Sequence, residues 1–405
     1  MDYNDIIMNI NLIRFSNSMD PNATFKQDSD QFIDDINNEL FDDDLALVEN
    51  VDSPFSIIFI ETGGSEQKFI KEIDNLPRPI ILLSNCKNNS LPACFEISTY
   101  CKKNKIRDII LFGEEGDIAH AIKTLSEVLT AKANIEKSRL GVIGKPSDWL
   151  IASTVDYQEV KNKFGVEIID ISTEELKEEI QKGVLKDIPH LSQLRTLEKR
   201  ENVLEGALEI YSGLKRIIEK YHLNGFTLRC FDLLTEYKNT SCLAFGLLNE
   251  EGYIATCEGD VPSMLTMLFI KEALHAPSFQ ANPSKISLRE SEILFAHCTV
   301  PLNMCKKYEF LTHFESDLGI GIRGTLENSD VTICKISPNL KDLLCVKGTI
   351  KENLTLPNYC RTQIVVKMDN ENLFEFLNTS FGNHILVTYG DHVDTLLGLF
   401  HFFVE

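Results

Sequence analysis

Phe55-Ser56-Ile57-Ile58-Phe59-Ile60-Glu61-Thr62-Gly63-Gly64 is an apolar run of strand length, closed by a glycine turn. Two similar runs follow, at 79–83 leading into Ser84-Asn85-Cys86 and at 108–112 ending on Gly113. Helical stretches at 65–74, 90–104 and 117–135 lie between and after them. Continuous apolar strands separated by helices indicate a parallel sheet, because each crossover lays a helix on the sheet and buries both faces. Upstream come a strand at 6–15 and an acidic, Asn-rich segment at 17–44, read as a loop plus a solvated helix.

The pattern restarts at 139–143, where a buried-type strand runs into Gly144-Lys145-Pro146-Ser147 and a helix expected from Asp148. A strand at 166–171, a helix near Thr173 and a long helical segment at 191–222 continue it. Strands at 225–231 and 241–248 and a helix after Pro262 complete a second α/β set. From about residue 285 short strands dominate, at 292–299, 319–326, 331–337, 343–350, 362–366 and 385–389. The expected fold is therefore two doubly wound parallel-sheet α/β domains, 1–137 and 138–284, followed by a β-rich, small barrel-like domain, 285–405.

Bulk properties narrow the function. The 405 residues carry 40 basic and 61 acidic side chains, a formal net charge of −21. Nucleic-acid surfaces need clustered Lys and Arg to replace counterions, so no nucleic-acid partner is expected. No apolar stretch reaches the roughly 20 residues that span a bilayer, so no membrane partner is expected. The N-terminus lacks the basic and apolar regions of a signal peptide. Eleven cysteines without Cys-x-x-Cys spacing fit reduced thiols, and the expected location is the cytoplasm.

Three places put ionisable groups in or beside apolar runs. Cys257-Glu258-Gly259-Asp260 sits at a strand-to-helix junction. Either both carboxylates face a cleft at the carboxyl edge of the sheet, or Asp260 caps the helix and Glu258 is solvated. His297 lies inside the strand-like Phe295-Ala296-His297-Cys298-Thr299, as a packed residue or as a ligand. Its neighbour Cys298 points to the opposite strand face, so the two do not share a metal. Phe381-Gly382-Asn383-His384 enters another strand, with His392 beyond Gly390. Together, carboxylates and two histidines form a mixed O/N set suited to Mn²⁺ or another divalent transition metal. The string Gly319-Ile320-Gly321-Ile322-Arg323-Gly324 has no helix opening after it. It reads as a strand or turn with close backbone approach, not as a dinucleotide site.

TSCLAFGLLNEEGYIATCEGDVPSMLTML (240–268), FAHCTVP (295–301) and FGNHILV (381–387), in that order, resemble segments of the L-fucose/L-arabinose isomerase family. TGGSE (62–66), NSLPACFEI (89–97) and RLGVIGKPSDWLIAS (139–153) look like a divergent, fucose isomerase-like branch of the same family. The resemblance implies a metal-dependent aldose–ketose isomerase acting on a sugar, with homotrimers or hexamers. It implies Glu258 as Mn²⁺ ligand and acid/base, with His297 and His384 as metal histidines. Asp260 is the nearest remaining carboxylate, to orient Glu258 or serve as a second acid. The family's second acidic ligand falls within Ser278-Phe279-Gln280-Ala281-Asn282-Pro283, where Ala281 or Asn282 replaces it. An amide oxygen can coordinate a metal but cannot serve as a general base, so Asn282 is carried as a candidate ligand only. The alternative expectation is a sugar-binding or regulatory homologue that kept the fold and lost catalysis.

Overall fold

The computed structural model describes residues 8–17, 24–379 and 381–404. The part of the expected first strand before Met8 lies outside them. The chain divides into two compact units, Met1–Ala133 and Asn134–Glu405.

In the first unit β1 (Met8–Phe15), α1 (Thr24–Leu40), β2 (Leu45–Val48), β3 (Ser56–Ile60), α2 (Glu66–Glu72), β4 (Ile80–Leu83), α3 (Ser90–Lys103), β5 (Asp108–Leu111) and α4 (Glu115–Glu136) follow in order. The five strands form one parallel sheet, ordered β2-β1-β3-β4-β5. Every residue of β3 and β4 is buried, which is why these strands read as unbroken apolar runs. Ile58 and Ile60 share a core with Phe69, Ala93 and Ile97 of α2 and α3, while Phe59 meets Phe32 of α1. β2 is the strand not expected. Its Leu45-Ala46-Leu47-Val48 is short and follows directly on the acidic run.

The second unit begins with β6 (Arg139–Ile143), α5 (Tyr157–Phe164), β7 (Glu167–Ile171), α6 (Thr173–Ile180), α7 (Leu191–Leu197), α8 (Glu201–Tyr221), β8 (Gly225–Leu228), α9 (Phe231–Tyr237), α10 (Cys242–Glu250), β9 (Ile254–Cys257) and α11 (Val261–Leu274). Its four strands are parallel, ordered β7-β6-β8-β9. Two expectations are corrected here. Residues 242–248 are helical, with Ser241 at the N-cap, not a strand. Residues 242–249, nearly all of α10, are buried, and a helix buried all round loses the polar face that reveals its period. The expected helix at Asp148 is a loop, and the next helix starts only at Tyr157.

The rest of this unit is β10 (Phe279–Ser287), β11 (Glu292–His297), β12 (Cys305–Leu311), β13 (Gly321–Leu326), β14 (Asp330–Ile336), β15 (Leu343–Asn353), β16 (Thr362–Lys367), α12 (Asn370–Thr379), β17 (Ile385–Tyr389) and α13 (Val393–Val404). Six strands close an antiparallel barrel, β10-β11-β16-β15-β14-β17, and β12 pairs with β13. Closure removes the free edges that an open sheet would expose. The two parallel sheets and this barrel are the architecture expected. Leu243, Phe245 and Leu247 of α10 join Phe279, Phe295, Ile333 and Ile364 of the barrel in one hydrophobic core. Gly319 and Gly324 do bring backbone close. A Cβ at Gly319 would lie 2.7 Å from Thr240 N, and one at Gly324 2.5 Å from Cys305 Sγ. Among the described residues no helix is long and apolar enough to cross a membrane.

Candidate metal centre

β9 delivers the chain to Glu258 at the carboxyl edge of the second sheet, where open α/β sheets usually hold ligands. Glu258 and Gly259 both take left-handed backbone, with φ of 68° and 73°. Gly259 cannot carry a side chain, since a Cβ would stand 2.6 Å from Pro146 Cα and 2.7 Å from Lys145 O. The left-handed pair turns the chain into α11. There Asp260 caps the helix, accepting from the Ser263 N–H at 2.9 Å, and Pro262 sits in the first turn. The capping reading of Asp260 is thus correct, and Glu258, far from being solvated, is buried.

The barrel supplies the other groups. His297 is the last residue of β11 and His384 immediately precedes β17. Their rings meet edge to face with centroids 5.5 Å apart. Glu258, His297 and His384 each offer a ligand atom, and these atoms all lie within 4.8 Å of one another. His392 stands apart from this cluster, beyond the break at Gly390, where φ is 91°. Its backbone N–H donates to Thr332 Oγ1.

β10 pairs antiparallel with β17 through Ala281 and Ile385, so the residue after Ala281, Asn282, comes level with the residue before Ile385, His384. The Ala281 methyl group points into the core, so of Ala281 and Asn282 it is Asn282 that lies alongside the histidine. Asn282 Oδ1 and His384 Nε2 are both buried without a hydrogen-bond partner. Gln280 ties β10 to β9, accepting from the Cys257 N–H at 2.8 Å.

Behind the cluster lies a fully buried network. His384 Nδ1 donates to Asp260 Oδ2 at 2.9 Å, and Lys335 Nζ of β14 donates to both Asp260 oxygens at 3.0 and 2.9 Å. Lys335 also reaches Ser263 Oγ at 2.5 Å. Burial opposes ionisation of Asp260, but Lys335 and His384 outweigh it and hold the carboxyl far below the usual range. Burial alone would discharge His384; its hydrogen bond to Asp260 and the negative charge of Asp260 and Glu258 instead raise it to about 9. His297, buried beside His384 without such a partner, falls to about 3 and stays neutral. Burial also lowers Lys335, against the pull of Asp260. Glu258 is held below its ordinary value despite burial, because His384, 3.6 Å from its Oε1, and the Trp149 indole favour the anion.

Sequence reasoning missed two of these partners. Trp149 donates its indole N–H to Glu258 Oε2 at 2.8 Å. It sits in the loop expected to be helical, so its spacing carried no signal. Lys335 did leave one: a lysine within Val331-Thr332-Ile333-Cys334-Lys335-Ile336 needs a buried anion. The loop after β12 also brings His313 and Glu315 within electrostatic range of Glu258. Burial and that charge raise the Glu315 carboxyl.

No family model matches the chain. It is similar, at 21% identity over 346 residues, to a protein named sulfoquinovose isomerase from Clostridium sp. (strain MSTE9), a match covering 80% of this chain and 77% of that one.

Proposed function

We propose that the chain is a divalent-metal-dependent aldose–ketose isomerase acting on a sugar, with Glu258, His297, His384 and Asn282 around the ion. The convergence of three ligand atoms within 4.8 Å carries the reading. The orphaned Asn282 Oδ1 and His384 Nε2 fit the same use, since buried polar atoms without partners are otherwise costly. The mixed O/N set suits Mn²⁺ and its neighbours. Asp260 on His384 Nδ1 is the carboxylate–histidine arrangement that fixes the ring of a metal ligand. The similarity to a protein named as a sugar isomerase supports the reaction class.

Isomerisation takes a proton from the carbon beside a carbonyl and returns one to the neighbouring carbon. Glu258 is the group placed to move that proton, an anion at neutral pH at the edge of the cluster. Asp260 has every oxygen engaged and no exposed surface, so it positions His384 and does not touch the sugar. Asn282 offers a neutral oxygen and no base. A divalent cation held there would supply Lewis-acid stabilisation of charge developing on the sugar oxygens.

The test is elemental analysis of the purified protein together with ketose formation from sulfoquinovose and a small aldose panel. Metal-loaded wild type is expected to form ketose, chelation to abolish it, and Glu258→Gln to cost about 100-fold or more. Absence of both bound divalent metal and ketose in the wild type would sink the reading.

A further inference from the structure

Glutamate seldom adopts a left-handed backbone, so something must over-determine Glu258. The loop after β6 does so at both ends of the residue. Ser147 N–H donates to the Glu258 carbonyl at 2.8 Å, and two residues later Trp149 Nε1 donates to its carboxylate Oε2, also at 2.8 Å. The loop is itself anchored. Arg229, just beyond β8, grips Asp148 with two hydrogen bonds of 3.0 and 2.9 Å and donates to Pro146 O at 3.0 Å. Gly259 completes the fit, leaving no room for a Cβ beneath Pro146.

Within this clamp Trp149 is anomalous for a packing residue. Its side chain is 53% exposed, yet its one polar atom is turned inward onto the carboxylate. Phe231 holds the indole from the side in an edge-to-face contact at 5.0 Å. Packing of the covered half could be supplied by any aromatic ring, whereas only a donor at this position makes the bond to Glu258. With Oε2 occupied by the indole, Oε1 is the oxygen left facing His384 Nε2.

Resting on the metal-centre reading, we propose that Trp149 is a positioning residue of this site: its indole N–H fixes the rotation of the Glu258 carboxylate and so presents Oε1 to the ion. A donor that orients a ligating carboxylate acts from outside the coordination sphere, and its loss weakens metal binding without altering the ligand set.

The experiment uses the full chain and Mn²⁺ alone. Trp149 is the chain's sole tryptophan, so its emission reports on this position alone. In wild type, calorimetric Mn²⁺ binding is expected to quench that emission with the same midpoint. Trp149→Phe keeps an aromatic ring against Phe231 and removes the donor. It is expected to bind Mn²⁺ roughly tenfold more weakly, with a melting temperature lowered by only a few degrees and an altered electron paramagnetic resonance spectrum of the bound ion. Wild-type affinity and spectrum in Trp149→Phe would overturn the proposal while leaving the metal centre standing. If that variant fails to fold, the wild-type quenching decides, and bound Mn²⁺ that leaves the emission untouched overturns it. No binding of Mn²⁺, Co²⁺ or Zn²⁺ by wild type overturns this proposal together with the metal reading.

Discussion

Asp260 and His384, 124 residues apart in the chain, meet through a 2.9 Å hydrogen bond that joins the N-cap of α11 to the entry of β17. The same carboxylate neutralises Lys335, so one residue closes a helix, orients a ring and balances a buried cation. Removing one member of a buried pair strands the other charge. Asp260→Asn and Lys335→Met are each expected to lower unfolding free energy by about 3–5 kcal/mol. The double variant leaves only His384 without its carboxylate, a ring that can shed its proton, and should lose clearly less than the sum. Urea unfolding of the four proteins checks this, and strict additivity would show that the pair is not coupled.

Gly259→Ala tests whether the loop after β6 and the Glu258 turn are one device. The left-handed backbone alone costs about 1–3 kcal/mol for a residue with a Cβ, and here the Cβ also strikes Pro146 and Lys145. Gly183 has a similar φ of 77° with nothing within 4 Å, so Gly183→Ala carries the backbone cost alone. Gly259→Ala should therefore be the less stable and should lose Mn²⁺ binding, while Gly183→Ala keeps it. Equal stability and equal binding in the two would refute the clamp.

What could be read from the sequence tracks how locally each feature is encoded. β3 and β4 are continuous apolar runs because both faces are covered, and a run of that kind is visible without any partner. α10 is as apolar as a buried strand, and only its place between sheet and barrel makes it helical, so 241–248 was misread. β9 is four residues long and hidden between α10 and α11. Glu258, His297 and His384 each stand out as an ionisable group in or beside an apolar run, but nothing near any of them in the chain announces the other two. The loop holding Trp149 depends on Arg229 and Gly259, both remote in sequence, and local pattern gave a helix instead.

Metal binding should release a proton. In the metal-free protein His384 is raised to about 9 from an ordinary 6.5, so it is protonated at pH 7, while His297, lowered to about 3, is not. A ligand nitrogen must be deprotonated, and Mn²⁺ affinity should climb close to tenfold per pH unit across neutral pH and level off near 9. The linked stability has the opposite slope. A folded value above the unfolded one gives stability that is full below about 6.5 and lost as pH rises through about 9. Calorimetry in buffers of differing ionisation enthalpy counts the proton. Binding with no proton release at pH 7 would mean that His384 is not a ligand.

Asn282→Asp returns an anion to the place where the amide oxygen now lies buried and unbonded. In the metal-free protein a new carboxylate level with the protonated His384 gains an ion pair while losing hydration, so the melting temperature of the metal-free variant should change little. A dication tips that balance toward the variant, because an anionic oxygen then stands where a neutral one was. Mn²⁺ affinity at pH 7.5 should rise by roughly tenfold or more, with the melting temperature rising further on metal addition than in wild type. Ketose formation gives a separate reading, since a second carboxylate could also carry a proton where the amide cannot. Tighter binding with unchanged turnover would assign Asn282 to holding the ion alone. Tighter binding with faster turnover would show that the amide at this position limits the natural chain. Unchanged or weaker Mn²⁺ binding would place Asn282 outside the ion's reach and reduce the ligand set to Glu258, His297 and His384.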